Sequence, residues 1–166
     1  RGRKLYVRTL WIDGLSIDPV LLTPPLRPFW LRSGCFHNIG SIGLSDYQKQ
    51  TDAFPLAFPP AESWCDAITA SRKAEGMDTR FIVSALRCPG VKEGPCNYAM
   101  NSACDPNSPP DTVLLFETHA GWNQHGGPEL FTFDNHDPKG GCVMLKDGTV
   151  RFIRTNEELA QLRWKP

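Results

Sequence analysis

Gly140-Gly141-Cys142-Val143-Met144-Leu145-Lys146-Asp147-Gly148-Thr149-Val150-Arg151-Phe152-Ile153 is the stretch whose reading decides the fold. An apolar run, an Asp-Gly pair and an alternating run, in that order, predict a β-hairpin. The glycine supplies the positive φ that a tight turn between twisted strands requires. A lone hairpin is marginal in water, so more strands or a helix must cover it. Thr112 to Thr118 (Thr-Val-Leu-Leu-Phe-Glu-Thr) is a short apolar run flanked by turn residues, the pattern of a strand buried on both faces. Leu130-Phe131-Thr132-Phe133 predicts another strand. Phe81-Ile82-Val83 and Cys96-Asn97-Tyr98-Ala99-Met100-Asn101 predict short extended pieces around a Cys88-Pro89-Gly90 corner.

Helical spacing appears in three places. Phe36, Ile39, Ile42 and Tyr47 share one face of a segment over 35–49, with Ser33 as a candidate cap. A second helix is expected from Glu62 or Ser63 to Lys73, carrying Trp64, Cys65 and Ile68, with Glu75-Gly76 as its stop. Glu157 to Trp164 predicts a short terminal helix anchored by Leu159, Leu162 and Trp164. Helices on an antiparallel sheet make the expected class α+β.

The chain has 166 residues, 40% of them hydrophobic, enough for one domain with a core of its own. Fifteen prolines and fourteen glycines point to short elements joined by many loops rather than to a helical bundle. Net charge is zero, so no global field favours nucleic acid or anionic lipid. Residues 1–34 differ from the rest and read as an arm, with 35–166 as the α+β domain. Arg1, Arg3, Lys4 and Arg8 open the arm, Pro19, Pro24, Pro25 and Pro28 break any long helix, and Asp13 and Asp18 interrupt its apolar run. A membrane-spanning segment is therefore not expected. Trp11, Phe29 and Trp30 are large apolar groups that need a surface to pack on, in the main domain or in another chain.

Six cysteines occur, with no Cys-x-x-Cys pair, so the usual zinc-ribbon and thioredoxin-like patterns are missing. Cys88, Cys96 and Cys104 punctuate a Pro/Gly/Asn-rich stretch where a disulfide would substitute for core, Cys88–Cys96 being the most local pairing. Buried thiols are the alternative. The densest chemical cluster is Glu117, His119, His125, Asp134, His136 and Asp137. Imidazole nitrogens with carboxylates satisfy a divalent cation, so a zinc or iron site on His119, His125 and His136 with Asp134 is one reading, although the spacing matches no ligand motif. Oxygen groups around Asn123 and Asp134 offer a second, calcium-type reading. Gly-x-Ser-x-Gly and Gly-Lys-Ser/Thr are both absent, which removes the common hydrolase and phosphate-loop patterns.

Several separated segments share a further likeness. Cys35-x-x-Asn38-Ile39-x-x-Ile42-Gly43-Leu44-x-x-Tyr47 with Phe54-Pro55-x-Ala57-Phe58 comes first, then Trp64-Cys65-Asp66-Ala67, Arg87-Cys88-Pro89 and Cys96 to Asn101. Asp111 to Glu117, Gly121-Trp122-Asn123, Gly126-Gly127-Pro128-Glu129-Leu130, and His136 followed by Asp147-Gly148 complete the set. In this order they resemble bacterial prepilin-like proteins, similar to type II secretion pseudopilins, whose C-terminal domain carries a His…Asp-Gly motif. The resemblance covers about residues 35–164. It implies a pilin-like head, with an N-terminal helix packed on an antiparallel sheet beside a loop-rich, disulfide-prone region. It also implies a non-enzymatic subunit of the cell envelope, periplasmic or extracellular, that needs no cofactor and works by packing on other protein chains as a homo-oligomer, a filament or an accessory of a larger complex. Two departures stand out. Residues 1–34 do not form the family's apolar leading helix, and ten residues separate His136 from Asp147 where the family's common form has nine.

Overall fold

The computed structural model describes residues 58–91 and 93–166. The expected helix over 35–49, the arm with Trp11, Phe29 and Trp30, and the boundary at residue 34 lie outside the described residues. What is described is α+β: a five-stranded sheet with short helices on both faces.

The strands are β1 (Tyr98–Asn101), β2 (Val113–Glu117), β3 (His125–Gly126), β4 (Gly141–Leu145) and β5 (Val150–Ile153), in spatial order β3-β1-β2-β4-β5. The hairpin forms where Asp147-Gly148 predicts it. Gly148 has φ +86° and donates to the Leu145 carbonyl at 3.0 Å, while Asp147 Oδ1 accepts the Thr149 N–H at 2.8 Å. Cys142 then faces Phe152 and Met144 faces Val150 across the ladder. β2 lies between β1 and β4, antiparallel to both, and all five of its residues are buried, as its unbroken apolar run requires. The sheet is mixed rather than purely antiparallel, because two-residue β3 runs parallel to β1, pairing His125 with Met100.

Alternation along the strands sorts the core into two layers. On the first face Tyr98, Met100, Leu115, Cys142 and Met144 meet Trp64, Cys65 and Ile68 of helix α1 (Trp64–Ala74). On the second face Ala99, Val113, Phe116, Val143, Leu145 and Ile153 meet Leu159, Leu162 and Trp164. Among the described residues no helix is long and apolar enough to cross a membrane.

Three further expectations change. Phe81-Ile82-Val83 is not extended but lies in helix α2 (Thr79–Ala85), whose start is set by Asp78 Oδ1 accepting the Arg80 N–H at 2.8 Å. That local bond overrides the β preference of three bulky residues. Leu130 to Phe133 is not a strand. Pro128 opens a 3₁₀ turn over Pro128–Leu130, after which Thr132 donates to the Glu117 carbonyl at 3.2 Å and Phe131 and Phe133 pack edge-to-face on the second layer. The terminal helix α3 (Asn156–Ala160) ends early because the chain turns back to the sheet, where Arg163 bridges Thr112 and its carbonyl accepts the Val113 N–H at 2.9 Å.

Candidate functional site

Glu117 closes β2. Phe116 before it belongs to the second face, so the Glu117 carboxylate enters the first face, with none of its surface exposed. A carboxylate in that position needs a charged or hydrogen-bonding partner, since desolvating it alone is prohibitive. The partner is His136, whose Nε2 lies 2.8 Å from Oε2 and 3.1 Å from Oε1. The loop carrying the imidazole is tied to the end of β2, where Asn135 Nδ2 donates to the Thr118 carbonyl at 3.1 Å. The ring also meets Phe152 edge-to-face, with centroids 5.3 Å apart.

A third group converges on the same nitrogen. Cys88 Sγ is 3.4 Å from His136 Nε2, buried at the corner that follows α2. The Cys88 N–H donates to Asn97 Oδ1, and the Gly90 N–H donates to the Cys88 sulfur at 3.4 Å. Gly90 approaches so closely that a Cβ there would run into the Asn135 carbonyl. Its lack of a side chain therefore lets the corner seat against the imidazole loop. Sulfur, carboxylate and ring nitrogen all lie within 4.8 Å of one another, and all three residues are buried.

For the imidazole, burial pushes the pKa down, but the Cys88 sulfur and the Glu117 carboxylate outweigh it and hold the group up at about 10. The arrangement is not a nucleophile–imidazole–carboxylate relay, which needs its two partners on opposite ring nitrogens. Here both face Nε2. Such a convergence suits something held between the three groups, a proton or a cation.

The other sequence-derived candidates do not meet at this centre. His119 and Asp134 are exposed and line an open cleft of about 530 Å³ together with Phe133 and Lys139. Asp134 is held by Lys139 at 2.8 Å, and that ion pair keeps its carboxyl below the usual range. His125 lies exposed on β3, where its Nδ1 donates to the Asn123 carbonyl at 3.0 Å. Asn123 uses its Oδ1 to accept the Cys65 N–H at 2.8 Å, which engages it at the start of α1 rather than in a calcium cage. His136 and Asp147-Gly148 lie beyond opposite ends of β4, the first locking a loop and the second making the hairpin turn.

The Cys88–Cys96 disulfide is not formed, since both are free thiols with different neighbours. Cys96 lies 3.9 Å from Cys65, which donates to it, raising the Cys65 thiol and lowering that of Cys96. Of the real cluster, Glu117 and His136 are in the sequence-derived set, and Cys88 is the member that reading missed. A buried carboxylate predicted inside a two-face strand was the signal that a partner set must exist around it. No family model, no curated protein and no solved structure matches the chain.

Proposed function

We propose that the chain is a non-enzymatic, pilin-like structural subunit of the cell envelope or of an extracellular filament, and that it packs on other protein chains through residues 1–34. One observation carries this reading: the residues behind the His…Asp-Gly likeness serve the fold. His136 is buried against Glu117, and Asp147-Gly148 form the turn between β4 and β5. A motif used in this way marks a head domain rather than a reaction centre. Trp11, Phe29 and Trp30 supply the aromatic anchors that dominate interface energetics, and β5, an edge strand of the sheet among the described residues, is where an added segment would pair. The rival metal-dependent reading on His119, His125 and His136 has no comparable support, because those three side chains point to separate places.

The test is the mass of the full chain in solution, by light scattering over a range of concentrations. The full chain is expected to associate, and the Trp11→Ala/Phe29→Ala/Trp30→Ala variant to be monomeric with unchanged circular dichroism. A full chain that is monomeric throughout overturns the proposal.

A further inference from the structure

We propose that Cys88, Glu117 and His136 together bind one divalent cation of the zinc class. This inference goes beyond the assembly reading and does not depend on it. It rests first on the convergence of three buried ligand-type side chains on one point. Oε1 at 3.1 Å, Oε2 at 2.8 Å and Sγ at 3.4 Å all crowd His136 Nε2, and that nitrogen carries one hydrogen at most. A cation placed between the groups engages all of them.

The donor chemistry selects the ion. One thiolate, one imidazole and one carboxylate form a mixed sulfur, nitrogen and oxygen set, which suits zinc and does not suit calcium or magnesium, ions that take oxygen ligands. Charge closes as well. A divalent ion with a thiolate, a carboxylate and a neutral imidazole sums to zero, so no net charge is buried. The sulfur must bind as thiolate and the ring as neutral imidazole, so affinity for the ion should rise with pH.

Geometry gives a third argument. Zinc–sulfur and zinc–nitrogen bonds at a tetrahedral angle place the two ligand atoms roughly 3.5 Å apart. The Cys88 to His136 separation is 3.4 Å. The carboxylate sits closer than the roughly 3.4 Å that tetrahedral nitrogen–oxygen spacing requires, so to ligate through Oε1, now at 3.1 Å, it must withdraw by roughly 0.3 Å. Each residue offers one ligand atom, so the three side chains fill three of zinc's four tetrahedral positions and leave the fourth to a non-protein ligand. The ion would pin the Cys88 corner, the end of β2 and the loop before β4 to one point. The free energy of metal binding at such a site adds to that of folding.

The full chain, freed of metal by chelation and then loaded with zinc, should retain stoichiometric zinc after desalting. Loaded with cobalt(II) instead, it should show a near-ultraviolet sulfur-to-cobalt charge-transfer band. Cys88→Ser and His136→Asn should lose that band, whereas Cys65→Ser and Cys104→Ser keep it. Should the Cys88→Ser chain fail to fold, alkylation of the unsubstituted chain decides: zinc must slow modification of Cys88 and leave half-buried Cys104 unchanged. A folded chain that retains no zinc, a band that survives Cys88→Ser, or Cys88 alkylation indifferent to zinc would each overturn the site. Assembly is read separately by light scattering, so failure of either proposal is visible without the other.

Discussion

At the scale of single residues, Glu117 and His136 illustrate how a buried charge is kept. Both side chains are essentially without exposure, at 0% and 1%, so the cost of taking them from water must be offset by contacts such as the one they make with each other. Replacing one partner is then far worse than replacing both, because an isolated buried charge has nothing to answer it. His136→Leu is expected to cost about 3–5 kcal/mol in urea unfolding. His136→Leu combined with Glu117→Met should cost less than His136→Leu alone. A double variant as unstable as the sum of its singles would mean that each residue acts through packing rather than through the pair. This pair was half legible in the sequence. Glu117 and His136 both stood in the acidic and histidine cluster, but Cys88 lies 48 positions from His136 and nothing local to it signals the imidazole. Its neighbours in sequence suggested Cys96, whereas Cys96 meets Cys65, 31 positions away. Chain proximity is a poor guide to thiol pairing once a sheet has brought distant segments together.

Elements were legible where their signal was local and periodic. Helix α1, strand β2 and the β4–β5 hairpin all follow from apolar spacing with Gly or Asp-Gly as punctuation. Helix α2 and the irregular course of Leu130 to Phe133 did not, because a side-chain cap from Asp78 in one case and the Pro128 turn in the other outweighed residue preference. The start of α1 makes the same point quantitatively. Ser63 occupies the cap position but its side chain makes no capping bond. Asn123 serves instead, from a loop far along the chain, its Oδ1 accepting the N–H of Cys65 at 2.8 Å and of Asp66 at 3.3 Å. Asn123 also holds φ +54°, a left-handed conformation that Asn tolerates better than most residues. Asn123→Ala should therefore destabilise the chain by about 1–2 kcal/mol, the range for loss of a cap. Ser63→Ala should change stability by less than about 0.5 kcal/mol, as surface changes without a special role do. Urea midpoints of the two variants check both values, and Asn123→Gly, which relieves the backbone while still lacking the cap, separates the two contributions.

For the molecule as a whole, one sheet serves two cores, and that predicts how it comes apart. β1, β2 and β4 each send residues both to α1 on one side and to the C-terminal segment on the other, with Leu114 and Leu115 of β2 both on the α1 side where its ladder with β4 shifts register. Neither layer can lose its backing without exposing the reverse of the same strands. The C-terminal segment is joined to the sheet by more than packing. Asn101 Nδ2 donates to the Trp164 carbonyl at 2.9 Å, the Trp164 indole donates to the Leu159 carbonyl at 3.2 Å, and its ring meets Phe116 edge-to-face with centroids 5.0 Å apart. Trp164→Ala should cost about 3 kcal/mol, the lower end for truncating an aromatic, because the ring is only partly buried. The informative measurement is where that loss appears. Cys142 is buried on the opposite face, so pulsed alkylation of its thiol during urea unfolding reports the first layer, while far-ultraviolet circular dichroism reports the whole. Both transitions should shift to lower urea by the same amount in Trp164→Ala, as a single cooperative unit demands. If the Cys142 transition stays in place while the dichroism moves, the two layers unfold separately and the shared sheet does not couple them.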